Sequence, residues 1–289
     1  MTIQVAVVSG KGGTGKTTVT ASLAAMCSPT IADCDVDAAN LHLLLKPTIK
    51  EKKPYYGYRF PEVDAGLCAG CGACETYCRF GAIKVEDRAV IDLVACEACG
   101  VCEAVCPAGA ISLKDRQCGE VFISDTAYGP MVHARLDPGV GTAGKLVTMV
   151  REEALKLAGK DGIILIDGPP GIGCPVIATL AGVDVAVMVV EPTVSGYSDF
   201  TRVLNVARRF NVMPCVCINK HDLNEDYTRK VIDYCKESDV RVLGLIPYDR
   251  EIFECVRMGE IPALHNKLKD SYTSIFKNLN DVIKERMKK

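Results

Sequence analysis

The sequence predicts an α/β protein, a doubly wound and mainly parallel sheet interrupted by a small cysteine-rich insert. Two observations predict it. Short apolar runs at 3–9, 30–32, 162–166, 183–190, 215–218 and 242–246 recur with helix-length amphipathic segments between most of them. Runs without alternation suit strands covered on both faces, and strands alternating with helices imply a parallel sheet. The pattern fails between about Pro61 and Asp115, where Cys and Gly accumulate and no long helix can be drawn. The expected division is 1–60 and 116–289 as the two parts of the large domain, with 61–115 as the insert.

The totals narrow the function classes. With 48% apolar and 24% charged residues the chain is expected to be ordered, and a net charge of -2 gives no global field for nucleic acid or an anionic membrane. No nucleic-acid partner is expected. The opening MTIQVAVVSGKGG lacks an export pattern, and no apolar run approaches the roughly 18 residues that span a bilayer, so membrane association is not expected and a cytoplasmic location is. Sixteen cysteines in such a chain point to metal ligation rather than disulfides. Eight lie between Cys68 and Cys106, and the other eight are scattered.

The first apolar run reads as a buried strand, and a helical stretch begins near Lys16. Between them Gly10-Lys11-Gly12-Gly13-Thr14-Gly15-Lys16-Thr17, continuing into Thr18, satisfies G-x4-G-K-[ST]. A strand, a glycine-rich turn and a helix start let backbone N–H groups cradle phosphates at the positive helix end, with Lys16 on the β- and γ-phosphates and Thr17 on Mg²⁺. ATP and Mg²⁺ are the expected ligands.

The additional Lys11 makes this loop resemble the deviant Walker A of the MinD/ParA ATPases, a group that also holds nitrogenase iron protein and the Mrp-type cluster carriers. The resemblance covers nearly the whole chain outside the insert. It implies a nucleotide-dependent dimer, with itself or with a related ATPase, in which Lys11 reaches the partner's nucleotide. It also implies that Asp33-Cys34-Asp35-Val36-Asp37 is switch I, with Asp35, or failing it Asp37, positioning the attacking water. Helix capping is the alternative use of these acids. Ile163 to Gly171 resembles Walker B and switch II, with Asp167 holding the Mg²⁺ shell and Gly168 sensing the γ-phosphate. Asn219, at the end of the strand CVCIN, resembles the base-contact position.

The insert is a 28-residue repeat: Cys68, Cys71, Cys74 and Cys78 map onto Cys96, Cys99, Cys102 and Cys106. Each half reads C-x2-C-x2-C-x3-C, which wraps three thiolates around one cubane and sends the fourth to the other. Cys68, Cys71, Cys74 and Cys106 are thus assigned to one 4Fe-4S cluster, and Cys96, Cys99, Cys102 and Cys78 to a second. Two zinc sites are the alternative, although zinc does not require this interleaved order. The segment resembles bacterial two-cluster ferredoxins, departing where Arg79, not proline, follows Cys78. At about 55 residues with few large apolar side chains, it needs metal to supply much of its folding free energy.

Nitrogenase iron protein offers one more comparison. Cys174 stands seven residues after Asp167, as one of that relative's cluster ligands does, but Thr142 stands where its second cysteine would be in Pro138 to Gly144. Cys174 is therefore expected to pack beside the switch. The expected function is ATP hydrolysis coupled through dimer switching to electron transfer, or to metal-centre assembly, on a redox or metalloprotein partner. The competing classes are a MinD/ParA-like positioning ATPase and an electron carrier with an inactive nucleotide site. The amphipathic C-terminal segment from about Ser271 is expected to pack on the sheet rather than lie on a membrane.

Overall fold

The structure is a computed structural model that describes residues 2–137, 140–141 and 143–288. The chain opens on β1 (Ile3–Ser9), whose Val5–Val8 are fully buried. The glycine-rich turn leads into α1 (Lys16–Cys27), followed by β2 (Thr30–Asp33) and the short α2 (Leu41–Leu45). A long strand β3 (Thr48–Val63) runs out to the cysteine-rich segment, which holds α3 (Ala73–Tyr77), β4 (Ile83–Val85), β5 (Ala89–Ile91) and α4 (Val101–Ala104). The chain returns along β6 (Ile111–Thr126) and turns into β7 (Gly129–Leu136). Alternation then resumes: α5 (Ala143–Leu157), β8 (Ile163–Pro170), α6 (Cys174–Leu180), β9 (Val185–Val190), α7 (Val194–Arg209) and β10 (Met213–Asn219). It closes with α8 (Glu225–Glu237), β11 (Arg241–Ile246), α9 (Arg250–Arg257) and α10 (Lys269–Met287).

The main sheet has the order β11-β10-β9-β1-β8-β2-β7-β6-β3. Its neighbours are parallel from β11 to β7, and β6 and β3 add on antiparallel. Helices cover both faces, which is why the central strands are apolar without alternation. On one face Val19, Leu23, Leu41, Tyr272, Ile275 and Leu279 pack together, and on the other Leu146, Val176, Phe200 and Val231. α10 thus buries its apolar side in the core. Among the described residues, no helix is long and apolar enough to cross a membrane.

The sequence pattern marks no strand at 48–63, 111–126 or 129–136, and the structure corrects it. β3 and β6 are 16 residues each and pair from Thr48↔Asp125 to Val63↔Ile111. They run unbroken through positions 61 and 115, so a twisted hairpin of the main sheet carries the cysteine-rich unit at its far end. There the backbone repeats as the sequence does. Gly72 and Gly100 adopt φ of 75° and 77°, and Gly70 (63°) is matched by Ala98 (51°), a left-handed conformation that a side chain rarely accepts. The unit's small core consists of Cys74, Ile83, Ala89, Cys102 and Ile111, with Cys68, Cys78 and Cys106 packed against it. Cysteines occupy the place that large apolar residues fill elsewhere.

Candidate nucleotide site and cysteine centres

Three adjacent parallel strands deliver the site. Val7 of β1 and Asp33 of β2 both stand in register with residue Asp167 of β8, so the turn after β1, the acid ending β2 and the acid in the second half of β8 meet at the carboxyl edge of the sheet. Open α/β sheets bind ligands at that edge. Gly15 takes a φ of 89° to turn the loop into α1, and a Cβ there would strike the Asn219 amide. Lys16 Nζ lies 3.3 Å from Asp35 Oδ2 and 3.8 Å from Asp167 Oδ1. The Thr17 hydroxyl donates to Asp167 Oδ2 at 2.8 Å and Thr20 to Oδ1 at 2.9 Å. Lys16, Thr17, Asp35 and Asp167 are thus brought to one point.

Asp35 lines the cavity in front of the loop, about 520 Å³, together with Gly12, Gly13, Thr14, Lys16 and Thr17. Asp37 is exposed and lines a separate cavity beside His133 on β7, so of the two acids it is Asp35 that faces the cavity in front of the loop. Gly168 is buried where a Cβ would meet Val8 and Thr179 at about 3 Å, and the Gly171 N–H donates to the Ser9 carbonyl at 2.9 Å, tying the end of β8 to the end of β1. Asn219 donates from Nδ2 to the Thr14 carbonyl at 2.8 Å and accepts from the Lys220 N–H at 3.0 Å. It also borders a second cavity of about 340 Å³, reached past Gly15 and Thr18 and walled by Pro247, Tyr248, Ile252 and Phe253. The two cavities share Gly15, Thr18 and Val256, so they adjoin, one in front of the glycine-rich loop and the other beside Asn219. A cavity of similar size, about 510 Å³, lies near Met213 and the Arg241–Glu285 ion pair but has no glycine-rich loop.

Lys11 is held within its own chain. Its Nζ lies 3.0 Å from Glu191 Oε2, and Lys220 pairs with the other oxygen of the same carboxylate. Burial opposes the charged form of Glu191, yet the two lysines outweigh it and hold the carboxyl below its ordinary range.

Asp33, named in the sequence only as the start of the acidic stretch, is a further candidate for this site. It is fully buried, its Oδ1 accepts from the Asp35 N–H, and its Oδ2 has no partner. Burial first, and then the neighbouring Asp167 charge, push its carboxyl well up, and burial also raises Asp167. An orphaned carboxylate oxygen in register with Asp167 fits a site built for Mg²⁺ and its water shell. The sign of the linkage follows. A carboxyl raised in the folded state contributes stability that is present at low pH and lost as pH rises through its folded value. Asp33→Asn should therefore stabilise the metal-free protein at neutral pH by about 1–3 kcal/mol, while weakening Mg²⁺-dependent nucleotide binding. Melting curves with and without Mg-ATP check both effects.

In the insert, Cys74 neighbours Cys68 and Cys106, Cys96 neighbours Cys99 and Cys78, and Cys102 neighbours Cys96 and Cys99. Cys71 and Cys99 are exposed. Backbone N–H groups donate to sulfur from Ala89 to Cys68 (3.4 Å), Ala98 to Cys96 (3.4 Å) and Ala110 to Cys106 (3.3 Å). The Ala89 donation, followed by that of Gly70, lowers the Cys68 thiol, whereas burial raises Cys74, Cys96 and Cys102. Leu93, Cys96 and Ala98 pack on the core of the large domain, as do Val140 and Ile172 beside switch II. Exposed Cys174 opens α6, and Gly144 lies against its backbone. Pro138, Gly139 and Thr142 lie outside the described residues.

The fold and the loop define a P-loop nucleotide-binding protein of the deviant-lysine kind. The chain belongs to the CobQ/CobB/MinD/ParA nucleotide binding domain family, which it matches over residues 5–263. It is 32% identical over 286 residues to an uncharacterised protein of Methanocaldococcus jannaschii, covering 97% of this chain and 98% of the relative. In structure it is similar to the cell division ATPase MinD of Pyrococcus furiosus, with a TM-score of 0.60 at 19% identity over 98% of this chain and 100% of the other. It is equally similar to the septum site-determining protein MinD of Pyrococcus horikoshii OT3, solved with Mg-ADP, with a TM-score of 0.60 at 20% identity over 99% of both chains.

Proposed function

We propose that this chain hydrolyses ATP as a MinD-type dimer and couples that cycle to two 4Fe-4S clusters in the insert, serving electron transfer or metal-centre assembly on a redox or metalloprotein partner. The observation that carries the reading is the grouping of the insert's thiols, in which Cys106 stands with the first four-cysteine run and Cys78 with the second. Both groupings follow the interleaved order in which each run sends its fourth cysteine to the other cluster. The N–H···S donations and the cysteine-built core fit the same group.

In the nucleotide site, Lys16 and the loop N–H groups hold the β- and γ-phosphates, Thr17 and Asp167 hold Mg²⁺ with Asp33 beside them, and Asp35 orients the attacking water. Bound Mg²⁺ supplies charge neutralisation of the phosphates. The protein's contribution is positioning and fixed charge, which is most of what phosphoryl transfer asks. Asn219 anchors the loop and faces the second cavity, which is the base end. The resemblance to MinD/ParA assigns Lys11 to the partner's nucleotide, which requires it to leave Glu191. The coupling route is short, because the loop bearing Cys96 packs on the large domain, with Glu97 beside Gly141 in the segment that leads to Gly144 and Cys174. The cluster of Cys96, Cys99, Cys102 and Cys78 is then the one next to switch II.

Protein purified without oxygen should carry about eight iron and eight acid-labile sulfide per chain, because each cubane contains four of both. Two zinc and no visible absorption would remove the cluster reading. Cys102→Ala should remove one cluster and destabilise the insert, while ATP binding by the large domain, which has its own core, persists. Loss of ATP binding in that variant would contradict the domain division.

The likeness to MinD structures supports a second reading, a positioning ATPase. Sedimentation with anionic liposomes, with and without ATP, separates the two. Because α10 buries Tyr272, Ile275, Leu279, Val282 and Ile283, we expect no ATP-dependent sedimentation.

A further inference from the structure

We propose that Cys255, Glu260 and His265 form a mononuclear zinc-class metal site at the end of the helix that walls the candidate nucleotide pocket, separate from the insert. Their ligand atoms all lie within 4.8 Å of one another, with Cys255 buried, Glu260 exposed and His265 half-buried.

Local folding brings them together. α9 ends at Arg257, Gly259 takes a left-handed φ of 68°, and the Glu260 N–H donates back to the Cys255 carbonyl at 2.8 Å. A 3-10 turn at Pro262–Leu264 then carries His265 back, so that its Nε2 stands 3.0 Å from Glu260 Oε2 above the thiol. One thiolate, one imidazole and one carboxylate suit a borderline ion such as Zn²⁺, whereas Mg²⁺ and Ca²⁺ take oxygen ligands. Tetrahedral zinc needs donor atoms roughly 3.3–3.8 Å apart, so a small closure of the Glu260 and His265 side chains completes three positions, leaving the fourth for water. Burial, and then the Glu260 charge, act against the Cys255 thiolate in the metal-free chain, and Glu251 beside it is already paired with Lys267 at 2.6 Å, so it is the bound cation that must stabilise the thiolate.

The position gives the site a consequence. Val256, next to Cys255, lines both nucleotide cavities, and Ile252 and Phe253 line the base end. A metal that clamps the C-terminal end of α9 fixes that wall and should raise ATP affinity.

Full-length protein with its insert loaded with iron and sulfide should be equilibrated with zinc, desalted and analysed for metals. One zinc per chain is expected beyond the iron. His265→Ala and Cys255→Ser should each lose that zinc with iron and sulfide unchanged, and His265→Cys should keep it. Cobalt(II) in place of zinc should give a thiolate charge-transfer band that Cys255→Ser lacks. Because His265 is at the surface, its variant separates ligation from folding. Wild-type protein without the extra zinc, or zinc retained equally in His265→Ala and Cys255→Ser, would overturn the proposal.

Discussion

Lys16→Ala should abolish nucleotide binding and also lower the stability of the empty protein. The lysine is nearly buried, 3.3 Å from Asp35 and 3.8 Å from Asp167. Burial already raises both carboxyls, and Lys16 is the largest influence acting against it. Removing one member of a buried charge pair typically costs about 3–5 kcal/mol, because the remaining charge is left uncompensated. The loss should be greatest at neutral pH and shrink on acidification, as Asp35 and Asp167 take up protons. Denaturant titration at two pH values, beside an ATP-binding isotherm, checks both parts. Unchanged stability at neutral pH would mean that the acids are neutral in the folded chain.

Glu191→Gln should shift the chain toward its ATP-dependent dimer, and Lys11→Ala should prevent that dimer while leaving monomer binding intact. Glu191 holds Lys11 and Lys220 together on one partly buried carboxylate. Charge-assisted contacts of this kind contribute about 1.5–3 kcal/mol each, and loss of one such restraint would tighten dimerisation by roughly tenfold or more. Sedimentation velocity with a non-hydrolysable ATP analogue measures it. If Lys11→Ala and Lys16→Ala lose nucleotide binding equally, Lys11 acts within its own subunit.

How far the sequence could be read depended on whether the signal was local. The glycine-rich loop, the four-cysteine runs and the buried strands are contiguous patterns, and each stands in the structure near the boundaries the sequence suggests. β3 was hidden because it is the edge strand of the sheet. Ile49, Tyr56 and Tyr58 are exposed, charges fill Lys50 to Lys53, and only isolated residues such as Tyr55 and Phe60 are buried, so no periodicity marks it. Asp33 stood out only as the start of the acidic stretch because its significance lies in its register with Asp167 on the next strand, which only pairing reveals. The base-end wall of Pro247 to Phe253 carries no motif, since an apolar surface for a base asks only for shape. The hold of Glu191 on Lys11 is likewise a tertiary contact between residues far apart in the chain.

The central claim is that nucleotide state and cluster state are linked. The most direct measurement is a redox titration followed by EPR, with and without a non-hydrolysable ATP analogue and Mg²⁺. The account predicts that the cluster of Cys96, Cys99, Cys102 and Cys78, packed toward switch II, shifts its midpoint potential while the other moves less. Reduction should then change ATP affinity by the same factor, about 5 to 150 for a coupling of 1–3 kcal/mol. Superimposable titrations, together with equal ATP affinity in oxidised and reduced protein, would contradict it.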